Sequence, residues 1–260
     1  MGDQMVFKRY ELKYMLTKEQ RLMMQSGIDA HMVADVHGKS TILSLYLDTP
    51  DYLLVRRSSE KPLYKEKLRL RSYGVAGKNT EVFIELKKKY ESVVYKRRES
   101  MSEADLEGYL CSGIPCKDTQ IMREIDFAMK RYPDIAPAVL LSYDREAYYG
   151  KNDHEFRMTF DENILWRTDD LTLCSGVYGT PLLTADQTLL EVKAGAAIPL
   201  WLVHTLSKLG IQRTSFSKYG TAYQTMLENN HRALPKRQNV PADLNPETIS
   251  IVNGGNYKYA

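Results

Sequence analysis

Several short stretches of this chain carry a charge at every second residue, and most of those charges are basic. They run Arg9-Tyr-Glu11-Leu-Lys13, Arg69-Leu-Arg71, Glu85-Leu-Lys87-Lys-Lys89, Lys96-Arg-Arg98 and Glu191-Val-Lys193. Tyr10, Leu12, Leu70, Leu86 and Val192 sit between the charges. A β-strand sends successive side chains to opposite faces, so each stretch reads as a strand with one apolar and one ionic face. A sheet with one wet face needs no more than scattered polar residues there. Five strands that line one face with Lys and Arg describe a surface for a polyanion.

The basic residues are concentrated rather than abundant. Net charge is only +3 over 260 residues, which argues against a protein that coats long duplex DNA and for a compact anionic ligand. Hydrophobic residues make up 43% and charged residues 27%, the balance of a globular chain with a substantial core. Cys111, Cys116 and Cys174 show no CxxC spacing, so neither a disulfide framework nor a zinc site is expected, and reduced thiols fit a cytoplasmic protein. The start of the sequence lacks the apolar run of a signal peptide, and no stretch of ~18 apolar residues predicts a membrane span. His31, His37, His154, His204 and His231 lack ligand spacing. No aromatic platform of the RNA-binding type is evident, so no nucleic-acid partner is expected.

Strands are predicted over 5–15, 41–48, 64–73, 80–90, 92–100, 138–149, 155–168 and 187–194. Helices are predicted over 18–32 (with Thr17 as N-cap), 51–58, from Ser102 onward in a capping-box-like arrangement with Asp105, and over 117–131, 199–209 and 217–229. Gly150-Lys-Asn-Asp153 is a good hairpin turn. From Arg232 onward Pro235, Pro241, Pro246, Gly254 and Gly255 predict a loosely ordered tail, leaving residues 1–231 as a single domain. Eight mostly hairpin-connected strands with inserted helices make an α+β fold. Closure into a barrel would put the ionic face inside, although an open sheet with a basic face satisfies the same pattern.

Cations at alternate positions on neighbouring strands lie ~5 Å apart across the ladder, which is destabilising unless an anion sits between them. Phosphate chains suit Arg forks and Lys point charges. Glu11, Glu85, Glu191 and Asp161 are too few to neutralise the set, but one or two carboxylates with substrate phosphates are the usual way to hold Mg²⁺ or Mn²⁺.

Eight segments occur in order: Arg9-x-Glu11-x-Lys13, Lys67-Leu-Arg69-Leu-Arg71, Phe83-Ile-Glu85-Leu-Lys87, Lys96-Arg-Arg98, Tyr143-Asp-Arg145, Phe156-Arg157-x-x-Phe-Asp161, Leu190-Glu191-Val-Lys193 and Phe216-Ser217-Lys218-Tyr219. Together, over residues 5–229, they resemble the VTC domain, the polyphosphate polymerase module of the triphosphate tunnel (CYTH-like) superfamily. The resemblance implies a closed antiparallel β-barrel, a tunnel with flanking and inserted helices. It also implies transfer of the ATP γ-phosphate onto polyphosphate with Mn²⁺ or Mg²⁺. Carried over by position, Lys13, Arg69, Arg71, Lys87, Arg145, Arg157 and Lys218 would act at the transferred phosphoryl group. Arg9, Lys89, Lys96, Arg98, Tyr143, Lys193 and Ser217 would bind substrate. Glu191 would be the principal metal ligand, with Glu11 and Glu85 as further metal or ion-pair residues. A triphosphatase of the same tunnel class and a non-catalytic polyphosphate-binding module are the alternatives. ATP and polyphosphate or triphosphate are the expected ligands, with a membrane protein as a conceivable partner.

Overall fold

In the computed structural model the described residues are 10–233 apart from 61, 92, 133 and 196, and apart from the side chains of 37 and 230–233. Arg9 and the tail from 234 lie outside them. The contact pattern divides the chain between Thr225 and Met226. The first unit carries the sheet and the site; of the second, the described part is the end of the last helix.

Thr17 opens α1 (Lys18–Met23) with a full capping box, its hydroxyl accepting from Gln20 N while Gln20 Oε1 accepts from Thr17 N. The single helix expected over 18–32 is instead two short ones, α1 and α2 (Gln25–His31), and the chain passes directly into strand at Met32. After β1 (Tyr10–Thr17) the strands are β2 (Met32–Asp48), β3 (Tyr64–Tyr73), β4 (Glu81–Tyr90), β5 (Val93–Ser102), β6 (Ala136–Gly150), β7 (Arg157–Arg167) and β9 (Gln187–Ala194), with two-residue strands β8 (Thr180–Pro181) and β10 (Arg213–Thr214). The first half of β2 escaped prediction because its pairing with β6 shifts register between Ala34 and Lys39, which breaks the alternation. Helices α3 (Leu53–Ser59), α4 (Glu103–Ser112), α5 (Gln120–Lys130), α6 (Leu200–Lys208) and α7 (Lys218–Ala233) complete the fold. Ser102 caps α4 by accepting from Asp105 N, as the sequence predicts.

All strand pairs are antiparallel, in the order β10-β1-β9-β7-β6-β2-β3-β4-β5 with β8 beside β7. The apolar face is buried in two places. Leu43, Leu45, Leu68, Leu70, Ile84 and Leu86 pack with Leu106 of α4 and Met122 and Ile125 of α5. Leu190, Val192, Met158 and Phe160 pack with Ile28 of α2 and Leu202 and Leu206 of α6. Helices therefore cover one face and leave the ionic face turned to the interior of the curve.

The expected closed barrel is not formed. Among the described residues β5 pairs with β4 alone, and the second edge of β1 is taken at Lys13 and Tyr14 by β10. Among the described residues no ladder joins the two ends, and β10 takes two positions of the β1 edge. Side chains span the gap instead: Lys87 Nζ of β4 donates to Glu11 Oε2 of β1 at 3.3 Å. The result is an open, strongly curved antiparallel sheet of an α+β fold.

Candidate polyanion site

Register decides which charges meet. On β3, Arg69 lies opposite Glu85 of β4 and Tyr46 of β2, while Lys67 lies opposite Lys87. On β5, Lys96 faces Lys87 and Arg98 faces Glu85. At the other side of the curve Lys13 faces Glu191, Glu11 faces Lys193, Arg157 also faces Lys193, and Arg145 of β6 faces Asp161 of β7. The turn into α7 adds Lys218, held in the first helical turn because Ser217 Oγ accepts from Gly220 N.

These rows line a cavity of about 520 Å³ with ten lysines and arginines but two carboxylates, Glu11 and Glu191. Of the residues expected at the site, Lys13, Arg69, Arg71, Lys87, Lys96, Tyr143, Arg145, Lys193, Ser217 and Lys218 are brought together here. Arg157 instead lines an adjoining cavity of about 390 Å³ that shares Arg145, Glu191 and Lys193 with the first. Arg98 lines a third, of about 880 Å³, with its guanidinium stacked 3.5 Å over Phe83. Lys89, one pleat beyond Lys87, lines none of the three. Five lining residues carry no site role in the sequence expectation: Tyr46, Lys67, Val94, Arg97 and Ile121. Tyr46 sits in a stretch without charges, and Lys67 belongs to the Lys67-Leu-Arg69-Leu-Arg71 segment but was given no role, although its parity matches Arg69 and Arg71.

Two carboxylates lie almost fully buried behind the wall. Glu85 is 1% exposed and meets Arg69 Nε at 2.6 Å, Lys96 Nζ at 2.7 Å, Arg98 Nε at 3.6 Å and Arg71 Nη1 at 4.0 Å. Asp161 accepts a fork from Arg145, Nε at 2.5 Å and Nη2 at 2.6 Å, and pairs with Lys218. Burial would raise both acids, but the surrounding cations hold them below the usual carboxylate range. The same contest, won by Lys218, Lys13 and Arg145, keeps Glu191 ionised. In return, Arg69, Arg145 and Lys218 are raised against the pull of burial by Glu85, Tyr143 and Asp161. Burial would also raise the Tyr46 and Tyr143 phenols, yet Arg69 and Arg145 bring them below their ordinary value.

The balance is unfinished on the cavity side. Arg71 is 6% exposed and its Nε has no hydrogen-bond partner. Among the described residues Lys67 hydrogen-bonds to Ser217 Oγ at 3.4 Å, and burial together with Lys13 and Lys87 lowers its ammonium to about 7. Buried or half-buried cations with unused donors are what an arriving anion satisfies.

The metal question turns on the carboxylates. Among the described residues no three metal-binding side chains converge, so the protein alone does not build a cage. Glu11 and Glu191 do flank one point, since Lys13 Nζ lies 3.5 Å from Glu11 Oε1 and 3.3 Å from Glu191 Oε1. Burial works to raise Glu11, but Lys87 and Lys13 bring it down to about 2, so it is an anion at neutral pH. Two hard oxygen ligands completed by phosphate oxygens and water suit Mg²⁺ or Mn²⁺. Glu85 lines none of the three cavities and is enclosed by four cations, an arrangement that matches the ion-pair half of its expected role.

Comparison with known proteins agrees with the fold. A search of curated proteins finds no match. Among solved structures, a candidate adenylate cyclase of Bacillus halodurans superposes with a TM-score of 0.54 at 13% identity, over 82% of this chain and 96% of that one. A candidate adenylate cyclase of Vibrio parahaemolyticus aligns over 86% of this chain and 99% of that one at 15% identity, with a TM-score of 0.43. The PH1819 protein of Pyrococcus horikoshii aligns over 85% and 99% at 13% identity, with a TM-score of 0.42. The first of these shows a shared fold. The family model of the VTC domain matches residues 8–227, nearly the whole of the folded chain, and the chain belongs to that family.

Proposed function

We propose that this chain is a polyphosphate polymerase that transfers the γ-phosphate of ATP onto the end of a polyphosphate chain. One observation carries the reading: a cavity of about 520 Å³ walled by ten cations and two carboxylates, in a member of the VTC family. Phosphoryl transfer asks little covalent chemistry of a protein. It needs the donor and acceptor phosphates held in line and the charge on the transferring group offset by fixed cations.

This wall is pre-organised for that work. Arg69 and Arg145 are locked by Glu85 and Asp161, so their remaining donors face the cavity without rearrangement. Arg71, Lys87, Lys96 and Lys218 add charge on both sides, and the Tyr143 and Ser217 hydroxyls supply neutral donors. Glu191 and Glu11 would hold a divalent ion, which when bound would supply positive charge to the phosphates. An acceptor that is itself a phosphate anion requires no general base.

The test is to incubate the purified chain with ATP and Mn²⁺ or Mg²⁺ and to follow polymer by gel and free phosphate by colorimetry. Polymer is expected; phosphate without polymer would make the chain a triphosphatase, and tight polyphosphate binding without either product a binding module. Glu191→Ala should abolish product. Arg69→Ala should mainly weaken phosphate binding, by about tenfold or more for one charge-assisted contact. Full activity in Glu191→Ala would overturn the metal assignment. No helix among the described residues is long and apolar enough to cross a membrane, and the polymer is proposed to form in the cytoplasm.

A further inference from the structure

Eight of the ten cations around the cavity have a carboxylate within 4.0 Å, and Lys67 is not among them. The charged side chains nearest it are cations. Strand β1 presents Lys13, β4 presents Lys87, and its own strand carries Lys65 and Arg69. Lys96 stands on β5 opposite Lys87, and β2 contributes Tyr46. Glu11 lies between Lys13 and Lys87 and is held by both, while Glu85 and Glu191 are each held by three or more other cations. The hydrogen-bond partner left to Lys67 is the Ser217 hydroxyl, itself at the start of α7 beside Lys218.

We propose that Lys67 is a phosphate ligand that takes up its proton from solvent as the polyanion enters, so that filling the cavity is linked to protonation of its amine. The inference rests on the polyphosphate reading above and adds to it a device that responds to pH. Burial and the neighbouring ammonium groups disfavour the charged form and bring it to about 7. Phosphate oxygens beside Nζ reverse the sign of the local field and favour it. The step is an amine accepting a proton from the buffer acid; no bond to phosphorus forms or breaks. Because the occupied-state value is the higher one, the contribution of Lys67 to affinity is complete below pH 7. It then falls about tenfold per pH unit as pH rises toward the occupied-state value. Lys67→Arg keeps the charge but cannot titrate.

The experiment is calorimetric titration of the full chain with inorganic tripolyphosphate at pH 6 and pH 8, each in two buffers of different ionisation enthalpy. Taking the difference between wild type and variant removes the ligand's own proton loss. At pH 8 the wild type should take up about nine-tenths of a proton more than Lys67→Arg, and at pH 6 about one-tenth more. Lys67→Arg should still bind, with an affinity less dependent on pH than the wild type. Lys67→Gln, should the arginine variant fold poorly, should show the same missing proton with weaker binding. Equal uptake by wild type and variants that all bind overturns this inference and leaves the polyphosphate reading intact. Failure of the wild type to bind tripolyphosphate overturns both.

Discussion

Glu85 is almost wholly enclosed, and four cations from the two flanking strands, β3 and β5, converge on its carboxylate. Such a group is expensive to break, because removing the anion strands the cations rather than subtracting a single contact. Glu85→Gln should lower unfolding stability by about 3–5 kcal/mol, read by chemical denaturation. The loss should be the same in chelator and in excess Mn²⁺; a metal-dependent loss would restore Glu85 as a ligand. Glu191 differs in lining the cavity, where each of its oxygens is shared with cations that also face the ligand. At this scale the sequence was partly legible. Parity put Arg69, Arg71, Lys87 and Lys96 on one face, but nothing local distinguishes a glutamate that holds four cations from one that faces substrate.

The element that completes the cavity is the segment leading into α7. Lys13 Nζ donates to Phe216 O at 3.1 Å, Ser217 meets Lys67, and Tyr219 stacks on Tyr46 at 4.4 Å while its hydroxyl donates to Asp48 Oδ2 at 2.8 Å. This short stretch thereby ties β1, β2 and β3 together. Tyr219→Phe removes one buried hydrogen bond but leaves the stack and the Val55 N to Asp48 Oδ2 bond in place. It should cost about 1–2 kcal/mol in a denaturation series, with tripolyphosphate affinity within twofold of wild type. A large loss of affinity would mean that the hydroxyl, rather than the stack, positions Lys218. Elements with strong local signals were foreseen: Thr17 and Ser102 cap their helices as their side chains dictate. The first half of β2, β8 and β10 were not, since a register shift erases the two-residue period and a two-residue strand has none.

For the whole molecule, the carboxylates that hold the cations set the response to acid. Glu11, Glu85, Asp161 and Glu191 are all lower in the folded protein than in an unfolded chain, Glu11 reaching about 2. Their contribution is therefore fully present above the unfolded values near 4.5 for Glu and 3.8 for Asp, and it is lost as pH falls through that range toward 2. Thermal melts should show little change from pH 7 to 5 and a steep fall below about 4.5, and a flat profile down to pH 3 would contradict the network described. The same scale decided closure. An ionic face common to many strands fits a barrel or an open sheet equally well, and the open outcome is a matter of long-range pairing, such as that of β10 with Lys13 and Tyr14 of β1. The sequence by itself determined which side chains share a face, because alternation follows from the covalent geometry of an extended chain. It also marked helix starts, through caps that reach three residues. Only the tertiary structure decided which cation found a carboxylate and which, like Lys67, was left for a ligand. Those pairings depend on register between distant strands and on the curvature that brings β1 and α7 over β3 and β4, and neither is written in any local stretch of sequence.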